Sequence, residues 1–209
     1  HEIRNPLTSI SGAIEVLRSQ GRGVPEDQRL MNIVLRETDR LNQLLTDFLL
    51  YARPTTPQFE DVLIDKVLRE TAELFSSSLD DGRVRLTLDV EPDISFWGDS
   101  KRLCQMVWNL MKNAAESMSI AGGEIRISLK DDRKKKEVRI EVRDQGPGIS
   151  PDTRKKIFQP FYTTKSRGSG LGLAVVHRIV EEHGGSISVE NEDAGGAAFQ
   201  IHFPHRPAS

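Results

Sequence analysis

An apolar repeat over the first 52 residues restricts the possible folds of this chain more than any other feature of its sequence. Apolar side chains recur there in alternating steps of four and three residues, beginning with Ile3, Leu7, Ile10, Ile14 and Leu17. This heptad spacing is typical of helices that pack along a seam. The stretch GRGVPED interrupts the repeat with glycine and proline, which favours a turn, and the repeat resumes over residues 26–52.

A hairpin of two such helices leaves apolar surface uncovered. Pairing with a second copy of the chain into a four-helix bundle would cover this surface, and the heptads favour that homodimer. Packing of the hairpin against the remainder of its own chain is the alternative. The sequence therefore predicts a helical hairpin over residues 1–53 that forms a dimeric bundle.

The composition excludes some classes of function. Hydrophobic residues make up 37% and charged residues 29% of the 209-residue chain, which suits a packed core beneath a solvated surface. The net charge of −2 provides no basic field, so no nucleic-acid partner is expected. The single cysteine, Cys104, excludes an internal disulfide and favours a reducing compartment. Since no apolar run is long enough to cross a bilayer and no Met comes first, we expect a cytoplasmic part of a longer protein, anchored to a membrane only through upstream segments.

The rest of the chain alternates between helix and strand patterns. Residues 54–60 are predicted to be an extended linker, and residues 61–209 a second domain. Helices are predicted at VLIDKVLRETAELF, at DSKRLCQMVWNLMKNAAESM with Asp99 or Ser100 as N-cap, and at GLAVVHRIVEEHGG. The second of these helices is predicted to bury an apolar stripe of Leu103, Val107, Leu110, Ala114 and Met118. Strands are predicted at RVRLTLDV, ISFWGD, GEIRISLK, EVRIEVRD, SISVEN and AAFQIHF. This order indicates an α+β sandwich, with one mostly antiparallel sheet under a layer of helices.

Two glycine-rich motifs follow predicted strands or begin predicted helices. In DQGPGIS, Gly146 and Gly148 permit backbone angles and close approaches that other residues forbid, and Asp144 at the strand end is placed to accept a hydrogen bond from a ligand amine. An ordinary glycine turn is the alternative. In RGSGLGLAVV, glycines expose backbone N–H groups at a helix N-terminus, which suits phosphates. The second motif is not a Walker A loop, because no Gly-Lys-Ser/Thr follows it, and its spacing does not fit a dinucleotide fingerprint.

Aromatic side chains lie between these motifs, and a helix with two amide side chains precedes both of them. IFQPFYTTKSR places Phe158 and Phe161 in a polar, glycine-bounded segment, which suggests a mobile lid anchored by its rings, although a surface loop with two core phenylalanines would look the same. In the helix WNLMKNAAES, Asn109 and Asn113 are four residues apart and share a face. Beside a phosphate site, such amides can hold Mg²⁺ through oxygen, but two solvated asparagines are the simpler interpretation.

The order NLMKNA, DQGPGI, FQPF and GSGLGL resembles the N, G1, F and G2 boxes of the histidine-kinase family. The ATP-binding domain of that family shares the GHKL (Bergerat) α/β sandwich with gyrase B, Hsp90 and MutL. The opening HEIRNPL resembles the H box of the nitrogen-regulation-like, dimerising histidine kinases. The resemblance covers almost the whole chain and implies a phosphotransfer hairpin followed by an ATP-binding domain.

The resemblance also implies roles for individual residues in binding ATP and Mg²⁺. Asn113 would ligate Mg²⁺ and Asn109 would lie near the γ-phosphate. Asp144 would read adenine in a base pocket shaped by Gly146 and Gly148. Backbone groups would line the triphosphate at Gly168, Gly170, Leu171 and Gly172. Side chains at the end of the lid, Thr164 and Lys165, would contact the phosphates as well.

In the first half, the resemblance assigns the reaction to His1. The heptad places His1 outside the seam, where the imidazole can reach both ATP and a partner protein. Glu2 would orient the ring or take its proton, and the phosphoryl group would pass to an aspartate of a response regulator receiver domain. Asn5, one turn along the same face, would position a water that dephosphorylates the regulator. The alternative is a GHKL ATPase or ATP-gated dimeric switch without histidine phosphorylation.

Four further residues have simpler interpretations. Cys104, Trp97 and Trp108 are expected in the core of the second domain. His183, near the end of a predicted helix, is expected to act as a cation that stabilises the helix dipole when protonated.

Overall fold

The structure is a computed structural model, and it describes residues 8, 10–12, 14–15, 28, 31–36, 38–39, 41–42, 45, 56–79, 82–165, 168–192 and 195–205. The chain divides into two compact units. One unit comprises residues 1–54 and 163–171, and the other residues 55–162 and 172–209. None of the described helices is both long enough and apolar enough to span a membrane.

The described residues of the predicted hairpin are all helical, from Thr8 to Leu45, as the heptad pattern predicts. Three described residues of its apolar seam are exposed in the single chain: Ile10 at 48%, Val34 at 41% and Leu41 at 50%. The first unit therefore presents apolar side chains that need a partner surface to be buried.

The second unit contains seven strands and four helices among its described residues. Its elements are β1 Glu60–Leu63, α1 Ile64–Ser77, β2 Val84–Val90, β3 Ser95–Gly98, α2 Ser100–Ser117, β4 Gly123–Asp132, β5 Glu137–Arg143, α3 Pro151–Arg154, α4 Gly172–Glu182, β6 Ser186–Asn191 and β7 Ala197–Pro204. The main sheet has the order β2-β4-β5-β7-β6, and β1 pairs with β3 in a small second sheet. Within the main sheet only β2 and β4 are parallel, so the predicted α+β sandwich is confirmed.

One helix begins later than the sequence pattern predicts. Val62 and Leu63 belong to β1, where they pair with Phe96 and Ser95 of β3, and the helix begins only at Ile64. The apolar run is continuous across this boundary, so its periodicity does not separate the strand from the helix.

The core lies between the main sheet and the helices α1, α2 and α4. Along β4 and β5 every second side chain is buried, and these side chains face one another across the strands, for example Ile127 opposite Val142 and Leu129 opposite Ile140. The predicted apolar stripe of α2 is fully confirmed as buried, at Leu103, Val107, Leu110, Ala114 and Met118. The buried face of the strands and the buried stripe of α2 thus belong to one core.

The expectation that Trp97, Trp108 and Cys104 are core residues is wrong. Trp108 is 37% exposed, and its ring lies edge-on to Phe75 of α1, with centroids 5.1 Å apart. Cys104 is half-buried, as is Trp97. Trp108 and Cys104 each follow a buried residue of the stripe by one position, which rotates them towards the edge of the buried face.

The expectation for His183 is also wrong, because this side chain is completely buried. Its Nε2 accepts a hydrogen bond from the backbone N–H of Asp99 at 3.0 Å, and its Nδ1 lies 2.7 Å from the carbonyl oxygen of Ile179. Since a carbonyl oxygen can only accept, the proton is on Nδ1 and the ring is neutral. Burial lowers the pKa of His183 below its usual value, which rules out the proposed role as a cation.

Asp99 joins this histidine to the start of α2. It is the N-cap of α2, as predicted, and its Oδ1 accepts the backbone N–H of Arg102 at 3.1 Å. Its Oδ2 accepts the backbone N–H of Gln58 at 2.8 Å. Burial alone raises the pKa of Asp99, but these backbone donors outweigh that effect and hold the pKa below its usual value. The entry to the domain, α2 and the end of α4 therefore meet at one buried group of hydrogen bonds.

We predict that acid destabilises the second unit through His183. The unfolded chain protonates this histidine near pH 6.5, whereas the folded chain protonates it only at lower pH, so the unfolded state binds more protons below about pH 6.5. The free energy of unfolding should therefore fall as the pH is lowered from about 6.5, and the lowered pKa of Asp99 adds a separate loss only below about pH 4. Urea unfolding from about pH 7.5 to about pH 5 measures the effect.

The prediction is tested by a substitution at His183, just beyond α4, and controlled by one at His177 within α4. His183→Gln should be less stable at neutral pH and should lose the decline between about pH 6.5 and pH 5. His177→Gln, on a partly exposed position of α4, keeps His183 and should keep that decline. An unchanged decline in His183→Gln would contradict the prediction.

Candidate functional site

Asp144 lies one residue beyond β5 and is held by the backbone around it. Its backbone N–H donates to the carbonyl of Ala197 at 2.9 Å, which continues the β5–β7 ladder. Its Oδ1 accepts the N–H of Gly146 at 2.8 Å and that of Ala197 at 3.4 Å. The side chain is only 6% exposed. Asp144 is thus a buried carboxylate in a fixed orientation, which suits the recognition of an N–H donor on a ligand.

Two glycines allow the chain to pack closely around Asp144. A Cβ at Gly146 would lie 2.5 Å from Ser117 Oγ and 2.8 Å from Asp144 Oδ1. Gly196 has a φ of +104°, and a Cβ there would lie 2.0 Å from the carbonyl oxygen of Asp144. Glycine is required at both positions by close approach. Gly146 was predicted from the sequence, whereas Gly196 and Ser117 were missed, because their role depends on contacts between distant segments.

The two predicted amide residues lie on α2. Asn109 donates from Nδ2 to the carbonyl oxygen of Gly172 at 3.3 Å, so this side chain contacts the first residue of α4. Asn113 is half-buried, one turn further along. The structure therefore brings Asn109 to Gly172, the residue of the second glycine motif at which α4 begins.

The aromatic segment has one packed ring and one exposed ring. Phe158 is half-buried and packs against His177 of α4, with ring centroids 5.3 Å apart. Phe161 is 61% exposed and has a φ of +65°, a left-handed conformation that is strained for an aromatic residue. Within this segment, Phe158 provides the anchoring contact and Phe161 presents its ring to solvent.

The residues at the end of this segment and the second glycine motif lie in the first unit up to Leu171. Lys165 is half-buried, and its backbone N–H donates to Thr163 Oγ1 at 3.0 Å; Thr164 is exposed. The N–H of Gly168 donates to the carbonyl oxygen of Lys165 at 3.3 Å, and a Cβ at Gly168 would lie 2.6 Å from Thr163 Oγ1. The close approach of Thr163 to Gly168 therefore favours glycine at position 168.

The remaining residues of the second glycine motif differ in what fixes them. Gly170 has a φ of +67°, which favours glycine. Leu171 is 1% exposed, so its side chain is a packing residue and only its backbone is available to a ligand. Gly172 begins α4, and a Cβ there would meet nothing within 4 Å. His1, Glu2 and Asn5 lie outside the described residues.

Comparison with family models identifies both halves of the chain. Residues 98–207 match the model described as "Histidine kinase-, DNA gyrase B-, and HSP90-like ATPase". Residues 1–57 match the model described as "His Kinase A (phospho-acceptor) domain". The chain belongs to the histidine-kinase family, and it contains a phospho-acceptor region followed by an ATPase region of this class.

Individual relatives are similar along nearly the whole chain. Sporulation kinase E of Bacillus subtilis (strain 168) is 36% identical over 99% of this chain and 28% of its own length. The sensor histidine kinase ZraS of Escherichia coli (strain K12) is 35% identical over 98% of this chain and 43% of its own length. The chain thus spans less than half the length of these relatives.

Solved structures show the same similarity. The structure of full-length ShkA in complex with AMPPNP has a TM-score of 0.76 and 29% identity, over 100% of this chain and 45% of that one. The structure of histidine kinase ThkA in complex with response regulator protein TrrA has a TM-score of 0.74 and 30% identity, over 99% of this chain and 60% of that one. The predicted fold class and family are confirmed.

We predict that Gly146→Ala destabilises the chain by overpacking. Its Cβ would collide with Ser117 Oγ, and such overpacking costs about 1–3 kcal/mol of the free energy of unfolding. Adding Ser117→Ala removes the oxygen that the new methyl group meets, so the double variant should recover part of this loss. Denaturant unfolding of the two single variants and the double variant measures the coupling.

Gly172→Ala is the matched control for this prediction. It introduces the same methyl group at a helical position where nothing lies within 4 Å and no positive φ is present. It should not lower the stability, because alanine favours helix over glycine. Additive effects of Gly146→Ala and Ser117→Ala would show that the two side chains do not meet.

Proposed function

We propose that this chain is the catalytic core of an ATP-dependent protein-histidine kinase in a two-component system. It phosphorylates itself on His1 and passes the phosphoryl group to an aspartate of a response regulator receiver domain. The two family matches support this proposal, as do the names of the relatives as sporulation and sensor kinases. The similarity to ThkA, whose structure was solved in complex with a response regulator protein, supports the choice of partner.

The observation that carries the nucleotide-binding half is the fixed, buried carboxylate of Asp144. Hydrogen bonds from Gly146 and Ala197 orient this carboxylate before any ligand arrives, so binding an adenine amine requires little reordering. Gly146 and Gly148 then shape the pocket for the base. The match to the ATPase model and the AMPPNP in the ShkA complex support ATP as the nucleotide.

The phosphates are assigned to Asn109 of α2, to the end of the aromatic segment and to the second glycine motif. In the proposal, Asn109 lies near the γ-phosphate, and backbone groups of Gly168, Gly170, Leu171 and Gly172 line the triphosphate. Thr164 and Lys165 add side-chain contacts, and Phe158 and Phe161 belong to the lid over them. The contact of Asn109 with Gly172 joins α2 to the first residue of α4 and supports the assignment of both residues to one ligand.

Mg²⁺ is proposed as the metal, held by Asn113. The half-buried amide of Asn113 fits, because Mg²⁺ takes oxygen ligands and usually has only one or two from the protein, with phosphates and water completing the shell. When bound, Mg²⁺ would neutralise charge on the phosphates.

At the phospho-acceptor, one imidazole nitrogen of His1 attacks the γ-phosphorus of ATP. The N–P bond forms, the bond from phosphorus to the bridging oxygen breaks, and ADP leaves, while Glu2 takes the proton from the other nitrogen or orients the ring. Transfer to an aspartate carboxylate restores His1 and gives an acyl phosphate. In a second signalling state the kinase acts as a phosphatase, and Asn5 positions the water that removes the phosphate from the regulator.

The proposed kinase acts as a homodimer through the helical hairpin. The exposed seam residues Ile10, Val34 and Leu41 support this, because a second copy would bury them. We place the core in the cytoplasm, with any membrane anchor in the parts of the longer protein beyond this chain.

We predict that the chain incubated with γ-labelled ATP and Mg²⁺ acquires label that is labile to acid and stable to base. His1→Gln should abolish the label and keep nucleotide binding, because the acceptor is remote in sequence from the ATP-binding residues. Asp144→Asn, which replaces an acceptor oxygen with a donor of the same size, should weaken ATP binding by about tenfold or more. Label retained in His1→Gln would refute the assignment of the acceptor.

The same measurements separate the alternative function. ATP hydrolysis without labelled histidine in the unchanged chain would favour a GHKL ATPase or ATP-gated switch. Asn113→Ala tests the metal separately, since it should weaken binding of ATP in the presence of Mg²⁺ more than in the presence of a chelator.

A further inference from the structure

Asn191, the last residue of β6, holds the turn that carries Gly146 and Gly148. Its Oδ1 accepts the backbone N–H of Ile149 at 2.8 Å, and its Nδ2 donates to the carbonyl oxygen of the same residue at 2.9 Å. Because the backbone offers one donor and one acceptor, the orientation of the carboxamide is unambiguous. Asn191 thus binds Ile149 as an antiparallel strand residue would, although 42 residues separate them.

This contact explains why position 148 is occupied by glycine. Gly148 has a φ of +75°, and a Cβ there would lie 3.2 Å from both Cγ and Oδ1 of Asn191. The carboxamide of Asn191 therefore lies directly against the glycine. Any other residue at position 148 would be strained in its backbone and crowded by the amide.

The turn is held by side chains from several elements. Oδ1 of Asp144 accepts the N–H of Gly146, and Sδ of Met118, at the end of α2, accepts the N–H of Gln145 at 3.3 Å. Asn191 fixes the far end of the turn at Ile149. Asp144 and Asn191 thus fix the turn on either side of its two glycines.

We propose that Asn191 is a positioning residue for the base of the bound nucleotide. By holding Ile149, it sets the distance of the Gly146–Gly148 backbone from the carboxylate of Asp144, and so the affinity for the adenine end of ATP. It does not touch the phosphates or the reacting atoms in this proposal. The inference rests on the proposed function, because it assumes that this turn lines the nucleotide.

The test compares two substitutions of Asn191 in the full 209-residue chain. Asn191→Ala removes both hydrogen bonds. Asn191→Asp keeps the size and the acceptor for the N–H of Ile149, but it places a carboxylate oxygen against the carbonyl oxygen. Ser188→Ala is the matched control, because Ser188 is an exposed polar residue on the same strand but on its opposite face.

The measurements are the initial rate of labelling on His1 at varied ATP concentration, and the dissociation constants of ATP and ADP by calorimetry. Both Asn191 variants should raise the KM for ATP by about tenfold and leave kcat within about twofold. The affinities for ATP and ADP should fall by the same factor, since the defect lies at the base and not at the γ-phosphate. Ser188→Ala should match the unchanged chain.

Other outcomes would count against the positioning role of Asn191 or would restrict its test. An unchanged KM in both variants, or a lower kcat at unchanged KM, would overturn the positioning role. If neither variant folds, Asn191 contributes to stability alone and the positioning role is overturned as well. If only Asn191→Ala fails to fold, the KM of the isosteric Asn191→Asp variant tests the positioning role. Failure of the unchanged chain to bind ATP would refute the proposed function itself, and this inference with it.

Discussion

The hydrogen bond from the backbone of Asp99 to the buried ring of His183 is the constraint on which the ATPase region depends. It forces the imidazole to be neutral and fixes its tautomer, because Nδ1 must donate to Ile179. The same aspartate caps α2 and binds Gln58 at the entry to the domain. Three aromatic rings, Phe59, Phe96 and Phe203, surround the histidine. The helices that carry Asn109 and Gly172 are therefore positioned at one end by a single buried polar group.

The candidate nucleotide site is built on a different principle. There, the absence of side chains is decisive, since glycines at positions 146 and 196 let backbone and carboxylate approach within distances that a Cβ would forbid. Asp144 is oriented by backbone N–H groups, which have no rotamer freedom to lose when a ligand binds. The conformation of the main chain thus gives this carboxylate a fixed orientation.

The sequence predicted the architecture because its patterns are local. Strand alternation, the stripe of α2 and the Asp99 cap each depend on residues a few positions apart, and all three are confirmed. The wrong prediction for His183 arises because a contact with a distant segment determines the state of its side chain. His183 lies near the end of a helix, where a cation is the ordinary interpretation, but Asp99 reaches it from 84 residues away. Ser117 and Asn191 carry no motif at all, so their contacts with the glycine turn could not be read from the sequence.

The Asp99–His183 hydrogen bonds and the contacts around the glycine turn support different parts of the ATPase region. The Asp99–His183 group fixes helices, whose movement would shift Asn109 and the first residue of α4 together. Asn191 and the glycines fix a turn, whose movement would change the space beside Asp144 alone. In the proposed nucleotide site, a change in the first group would therefore act on the phosphate end, and a change in the second on the base. In the proposed site two independently supported elements share one ligand, so residues outside the motifs contribute to its geometry as well.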